Sequence, residues 1–177
     1  NPKNFRLKTY AENGNLKMVK FLTKNVNVKS DTESLNVAAI NDNVDIVKYL
    51  HKDLKTPLSP NTLHHAIRNG NNKVIKYLHK EAQQTIDGRS FMAATIGGKV
   101  STLKYLYSIS DYPVSSEMVV LSIFNGDLEI LKFFHEEKKF PMTEEFLDIA
   151  QYSINENVDL ILKREIIKYI KKCLNKI

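Results

Sequence analysis

Leu63-His64-His65-Ala66-Ile67-Arg68-Asn69-Gly70 followed by Val74-Ile75-Lys76-Tyr77-Leu78 is one copy of a pattern that recurs along the whole chain. Its lysine belongs to the evenly spaced series Lys20, Lys48, Lys76, Lys104 and Lys132, each followed by an aromatic residue. Its leucine belongs to a second series with the same step, Leu7, Leu35, Leu63, Phe91, Val119 and Leu147. Three residues after the leucine stand Tyr10, Ala38, Ala66, Ala94, Ser122 and Ala150, mostly small side chains that allow neighbouring helices to approach closely. Self-similarity at such a period marks stacked units that bury their apolar faces only against one another.

Each unit reads as two helices. Asp31, Ser59, Asp87, Ser115 and Thr143 precede the leucine column by four residues and carry side chains that accept from the free amides of a first helical turn. Pro60 suits the position after Ser59, where a missing N–H costs nothing. The pairs Asn13-Gly14, Asn41-Asp42, Asn69-Gly70, Gly97-Gly98 and Asn125-Gly126 tolerate left-handed backbone and close the first helix. The second helix carries Leu16, Val19, Leu22 and their equivalents on one stripe, with basic ends such as His51-Lys52 and His79-Lys80. A short loop with Pro57, Pro113 or Pro141 leads to the next unit, and no segment alternates with the two-residue period of a strand.

This segment, Asn61 to Leu78, resembles the ankyrin repeat, most closely at Leu63, His64, Ala66 and Gly70. Ankyrin units run to about 33 residues. The step here is five shorter, and the shortfall lies between Leu50 and Leu63, where ankyrins carry a hairpin finger. Short units with the wording of Asn125 to Glu136 look like those of giant-virus and amoebal ankyrin repeat proteins. The resemblance implies an all-α, ankyrin-like solenoid of helix-turn-helix repeats with shortened loops and the hairpin fingers largely lost. Repeats are expected at about 3–30, 31–58, 59–86, 87–114, 115–142 and 143–157, with a capping helix over 158–177. The register breaks after Ala150. One alignment makes Asn155 to Asp159 the turn; the other matches Glu165–Ile170 to Asp45–Leu50 after an eight-residue insertion.

With 177 residues, 42% hydrophobic and 26% charged, the chain is expected to bury a core as a soluble protein, without a membrane span or leader. A single cysteine, Cys173, excludes an internal disulfide and a cysteine-based zinc site, and favours an intracellular setting, cytoplasmic or nuclear, in a host cell if the protein is viral. Net charge +6 favours acidic partners.

No phosphate loop, carboxylate pair or nucleophile signature is present, so a non-catalytic role without cofactor or metal is expected. His51, His79 and His135 share a register, but units stack too far apart for them to share one ion. His64-His65 fits helix-start hydrogen bonding. The lysine series Lys20, Lys48, Lys76, Lys104 and Lys132 reads either as a rail for nucleic acid or as solvated residues supported by acids three residues earlier, such as Asp45 and Glu129. The aromatic column Phe21, Tyr49, Tyr77, Tyr105 and Phe133 lies beside the apolar stripe and is expected to pack in the core.

The position that varies most between units is Glu12, Ile40, Arg68, Ile96, Phe124 and Tyr152, at the end of the first helix. In ankyrin-like proteins this column faces the concave groove, which makes it the candidate partner-binding row; the other reading turns it into the core between shortened units. The functional expectation is a protein-interaction scaffold binding a partner protein, with nucleic-acid binding or a particle-associated structural role on the basic surface as the alternative.

Overall fold

The computed structural model describes residues 2–59, 61–152 and 160–175, and among them every regular element is helical. The helices are α1 (Pro2–Glu12), α2 (Leu16–Asn25), α3 (Thr32–Ile40), α4 (Val44–Lys48), α5 (Thr62–Asn69), α6 (Asn72–Lys80), α7 (Gly88–Ile96), α8 (Val100–Ile109), α9 (Ser116–Phe124), α10 (Leu128–Lys132), α11 (Glu144–Tyr152) and α12 (Leu160–Leu174). Helices α4 and α10 run on into wider π-helical turns, Tyr49–Asp53 and Phe133–Glu137. Two compact units result, 1–93 and 94–177.

In the first unit α1, α3 and α5 pack side by side, and α2, α4 and α6 form a second row. The small-residue column explains the closeness of the first row: Ala38 and Ala66 are fully buried, with Leu7, Leu35 and Leu63 beside them. In the second unit α9 lies against α11 and α10 against α12, the same two-row arrangement. Phe91 and Ala94 of α7, and Val119 and Ser122 of α9, continue the buried register.

The caps follow the sequence at three places. Asp31 Oδ1 accepts from Ser34 N at 2.7 Å, Asp87 Oδ1 from Ser90 N at 3.1 Å, and Ser115 Oγ from Met118 N at 3.3 Å. Ser59 departs from the expectation. Its Oγ accepts from Asn61 N, ahead of the helix, and α5 starts only at Thr62. Pro60 lies outside the described residues, as does the expected turn over 155–159.

Left-handed backbone closes the first helices at Gly14, Asp42, Gly70, Gly98 and Gly126. A side chain at Gly14 is disfavoured for a second reason, since an added Cβ would sit 2.8 Å from Asn43 Oδ1 and displace that amide. That contact exists because Asn43 reaches back to the preceding repeat, where its Nδ2 donates to the carbonyls of Ala11 and Glu12 at 2.9 and 2.8 Å. Asn71 repeats the arrangement on Ala39 and Ile40 at 2.7 and 2.6 Å. Side-chain amides thus add a donor to the Ala11 and Ala39 carbonyls, which already take the Gly14 and Asp42 amides at 3.5 and 3.4 Å, and supply one to Glu12 and Ile40.

Candidate functional site

The lysine series owes its regularity to contacts between consecutive repeats. Lys20 Nζ lies 5.3 Å from the centroid of the Tyr49 ring, Lys48 Nζ 5.4 Å from Tyr77, and Lys104 Nζ 5.7 Å from Phe133. A lysine of one repeat therefore covers the aromatic ring of the next, which is why the two residue types travel together along the chain. Acids at the end of that next repeat's second helix add to it. Lys48 pairs with Glu81 at 3.2 Å and Lys104 with Glu137 at 2.7 Å. Lys132 does take the expected acid three residues earlier, Glu129, at 3.1 Å, whereas Lys48 takes Glu81 in place of Asp45.

The rings themselves are mostly core. Tyr49, Tyr77 and Phe133 are buried and Tyr105 half-buried, while Phe21, in the first repeat of the series, is half exposed. Burial brings the Tyr49 hydroxyl to Thr23 Oγ1 at 2.8 Å and the Tyr77 hydroxyl to His51 Nδ1 at 2.7 Å. Desolvation, with Lys55 and Lys52 nearby, holds the His51 imidazole below its ordinary value. Burial likewise raises Tyr77.

The three histidines of one register do separate work. His79 Nδ1 donates to the Gln84 carbonyl at 3.2 Å and His135 Nδ1 to that of Phe140 at 2.9 Å, each fastening the loop after its helix. His51 binds Tyr77. His64 reaches forward to Asp87, the next cap, at 3.4 Å, and not to its own helix start. Among the described residues no group of three or more His, Cys, Asp or Glu side chains is placed to hold a metal ion. No helix among them is long and apolar enough to cross a membrane.

The variable column stands at the ends of the first helices. In the first unit Glu12 and Arg68 are exposed and Ile40 is half-buried. In the second unit all three members are exposed: Ile96 at 41%, Phe124 at 36% and Tyr152 at 83%. Their equal spacing in the sequence places them at one register, the last residue of α7, α9 and α11. Nearby, Asn41 and Asn69 donate to the carbonyls of Val37 and His65 at 2.8 Å each, so these amides close their own helices.

Sequence reasoning did not find the tie across the second helices of successive repeats, in which Lys52 Nζ adds a second cation to Tyr77 and Glu81. Lys52 is visible in the sequence, but its partners belong to the following repeat and become neighbours only once the repeats stack.

Paired helices that recur in two rows define a helical-repeat protein. The family model for ankyrin repeats, in three copies, matches residues 35–116, beginning on the leucine column at Leu35. Over that stretch the chain is similar to the ankyrin repeat family, and its consecutively packed helices are those of an ankyrin-like helical repeat. No curated protein matches it.

Proposed function

We propose that the chain is a non-catalytic scaffold that binds a partner protein through the ends of its first helices. Ankyrin repeats are in general protein-interaction modules. The observation that carries the reading is the set Ile96, Phe124 and Tyr152, three large apolar side chains left exposed at one register of the second unit. Exposed apolar residues arranged in a row are what a partner desolvates, and aromatic and arginine side chains supply most interface energy. Arg68 occupies the same register in the first unit.

The competing use of the lysine series, as a rail for nucleic acid, is weakened by its geometry, since Lys48 and Lys104 already serve a ring and a glutamate each. Salt separates the two readings. Phosphate-driven affinity falls steeply with ionic strength, whereas an apolar surface holds. Affinity capture with wild type and with an Arg68→Ala/Phe124→Ala variant tests the proposal: proteins retained by wild type at high salt should be lost from the variant, whose melting temperature stays unchanged. Retention of the same proteins by the variant, or capture of polynucleotide alone, overturns it.

A further inference from the structure

Helix α12 has a face left uncovered among the described residues, and its side chains repeat those of an inner repeat. Its Ile166 and Ile170 are fully buried, as Ile46 and Leu50 are, and its Tyr169 ring meets His135 edge-on at 6.1 Å, as Tyr77 meets His51 at 6.0 Å. With that register set, Lys168 and Lys172 stand where Lys48 and Lys52 stand, and Ile167 where Val47 stands. Val47 is covered by a following repeat and wholly buried; Ile167 is only partly covered. Around it lies an open face of the same helix formed by Arg164, Ile167, Lys168, Lys171, Lys172 and Asn175. None of its four cations is ion-paired among the described residues, and the acids nearby are engaged or off that face: Glu136 accepts from the Tyr169 hydroxyl at 3.0 Å, and Glu165 is not part of it.

What fits such a face is visible inside the first unit. Lys48 and Lys52 lie 5.4 and 5.5 Å from the Tyr77 ring and both pair with Glu81, one turn beyond that tyrosine at the end of α6. We infer that the α12 face is a docking site for an acidic amphipathic helix of a partner protein, carrying an aromatic residue with a glutamate four positions later. The ring lies under Lys168 and Lys172, the glutamate bridges their ammonium groups, and the apolar side of the incoming helix covers Ile167. A second copy of this chain is a poor occupant. The α2 face it would offer carries Phe21 but also Lys17, Lys20 and Lys24, cations against cations. The site is separate from the Ile96, Phe124 and Tyr152 row and does not depend on it.

The probe is a stapled helical peptide of four to five turns, net acidic and free of lysine, with tyrosine at one position and glutamate four later. Its anisotropy is followed on titration with the full chain at physiological salt. Saturable binding should weaken at least about tenfold with Lys168→Glu/Lys172→Glu in the protein, with the peptide's tyrosine changed to alanine, and with its glutamate changed to lysine. Phe124→Ala should leave it unchanged, which separates this site from the interface proposed above. Lys168→Gln/Lys172→Gln serves as the second variant should the charge reversal unfold the chain. Absence of saturable binding overturns the inference. So does indifference to the peptide's tyrosine, or equal competition by a DNA duplex, since either reduces the face to a general polyanion attractor.

Discussion

Asp127 occupies the register of Asn43 and Asn71 without being able to do what they do. Those amides each donate to two carbonyls at the end of the preceding first helix; an ionised carboxyl has no proton to give. It also comes close to the preceding repeat, where a Cβ on Gly98 would lie 3.2 Å from its Oδ1. Burial raises the Asp127 carboxyl above its ordinary value of 3.8, against the opposing pull of Asn125 and Lys99. Because the folded state holds this proton more tightly than the unfolded one, its contribution is present at low pH and is lost as pH rises through the elevated value. Asp127→Asn should therefore stabilise the chain at neutral pH by about 1 kcal/mol, read as a rise in the urea midpoint, and the gain should shrink as the pH is lowered into the carboxylate range. His51 acts in the opposite direction. Its folded value lies below the ordinary 6.5, so the unfolded chain binds the proton first; stability is whole above 6.5 and falls as pH drops through it. Replacing His51 with asparagine should flatten that part of the pH profile in thermal melts. The lysine and aromatic columns are legible from spacing alone, and the core placement of the rings follows from their place beside the apolar stripe. Their mutual contact is not legible, because sequence adjacency of Lys48 and Tyr49 hides that each serves a different repeat.

The helices show where periodic reading stops short. Asp31, Asp87 and Ser115 mark starts, and glycine marks most first-helix ends, so both kinds of boundary can be placed in advance. The second helices end by a device with no glycine in it. Asn27, Lys55, Gln83 and Lys139 share one position of the repeat, and all adopt left-handed φ between 55° and 59°. The amide after each bonds back into the preceding helix: Val28 to Leu22, Thr56 to Leu50, Gln84 to Leu78 and Phe140 to Phe134, at 2.9 to 3.0 Å. Asparagine, lysine and glutamine share no side-chain feature that announces such a turn, so the closing hydrogen bond and the packing around it impose the conformation. The fourth repeat leaves the pattern, with Ser110 extended after α8. A left-handed non-glycine residue costs roughly 1–2 kcal/mol, and the strain relieved by glycine is partly offset by its greater freedom in the unfolded chain. Gln83→Gly, at an exposed position, should raise stability by about 0.5 kcal/mol, whereas Gln83→Val should lower it; chemical denaturation of both variants decides. A gain from valine would mean that the turn is held less firmly than its hydrogen bonds indicate.

Across the whole molecule the open question in the sequence is the end of the chain, where the regular step fails at Leu160. The alignment that matches Glu165–Ile170 to Asp45–Leu50 agrees with the packing: α12 lies beside α10 as second helices do, Ile166 and Ile170 are fully buried, and Tyr169 takes the aromatic position over His135. Spacing cannot decide this, because an insertion between paired helices leaves the packing of both intact while shifting every later residue out of step; residues 153–159 lie outside those described. The repeat character of α12 has a thermodynamic consequence. In stacked repeats each interface stabilises its neighbours, so a helix that buries side chains against them supports the helices it touches. Ile166→Ala should cost about 2–5 kcal/mol, and hydrogen exchange should show the loss spreading into α10 and α11, which touch α12, rather than staying within it. Lys168→Ala, on the open face of the same helix, should leave stability within about 0.5 kcal/mol of wild type. If Ile166→Ala proved as mild as Lys168→Ala, α12 would be an appended segment resting on the repeats, and its face would lose the register on which its docking chemistry depends.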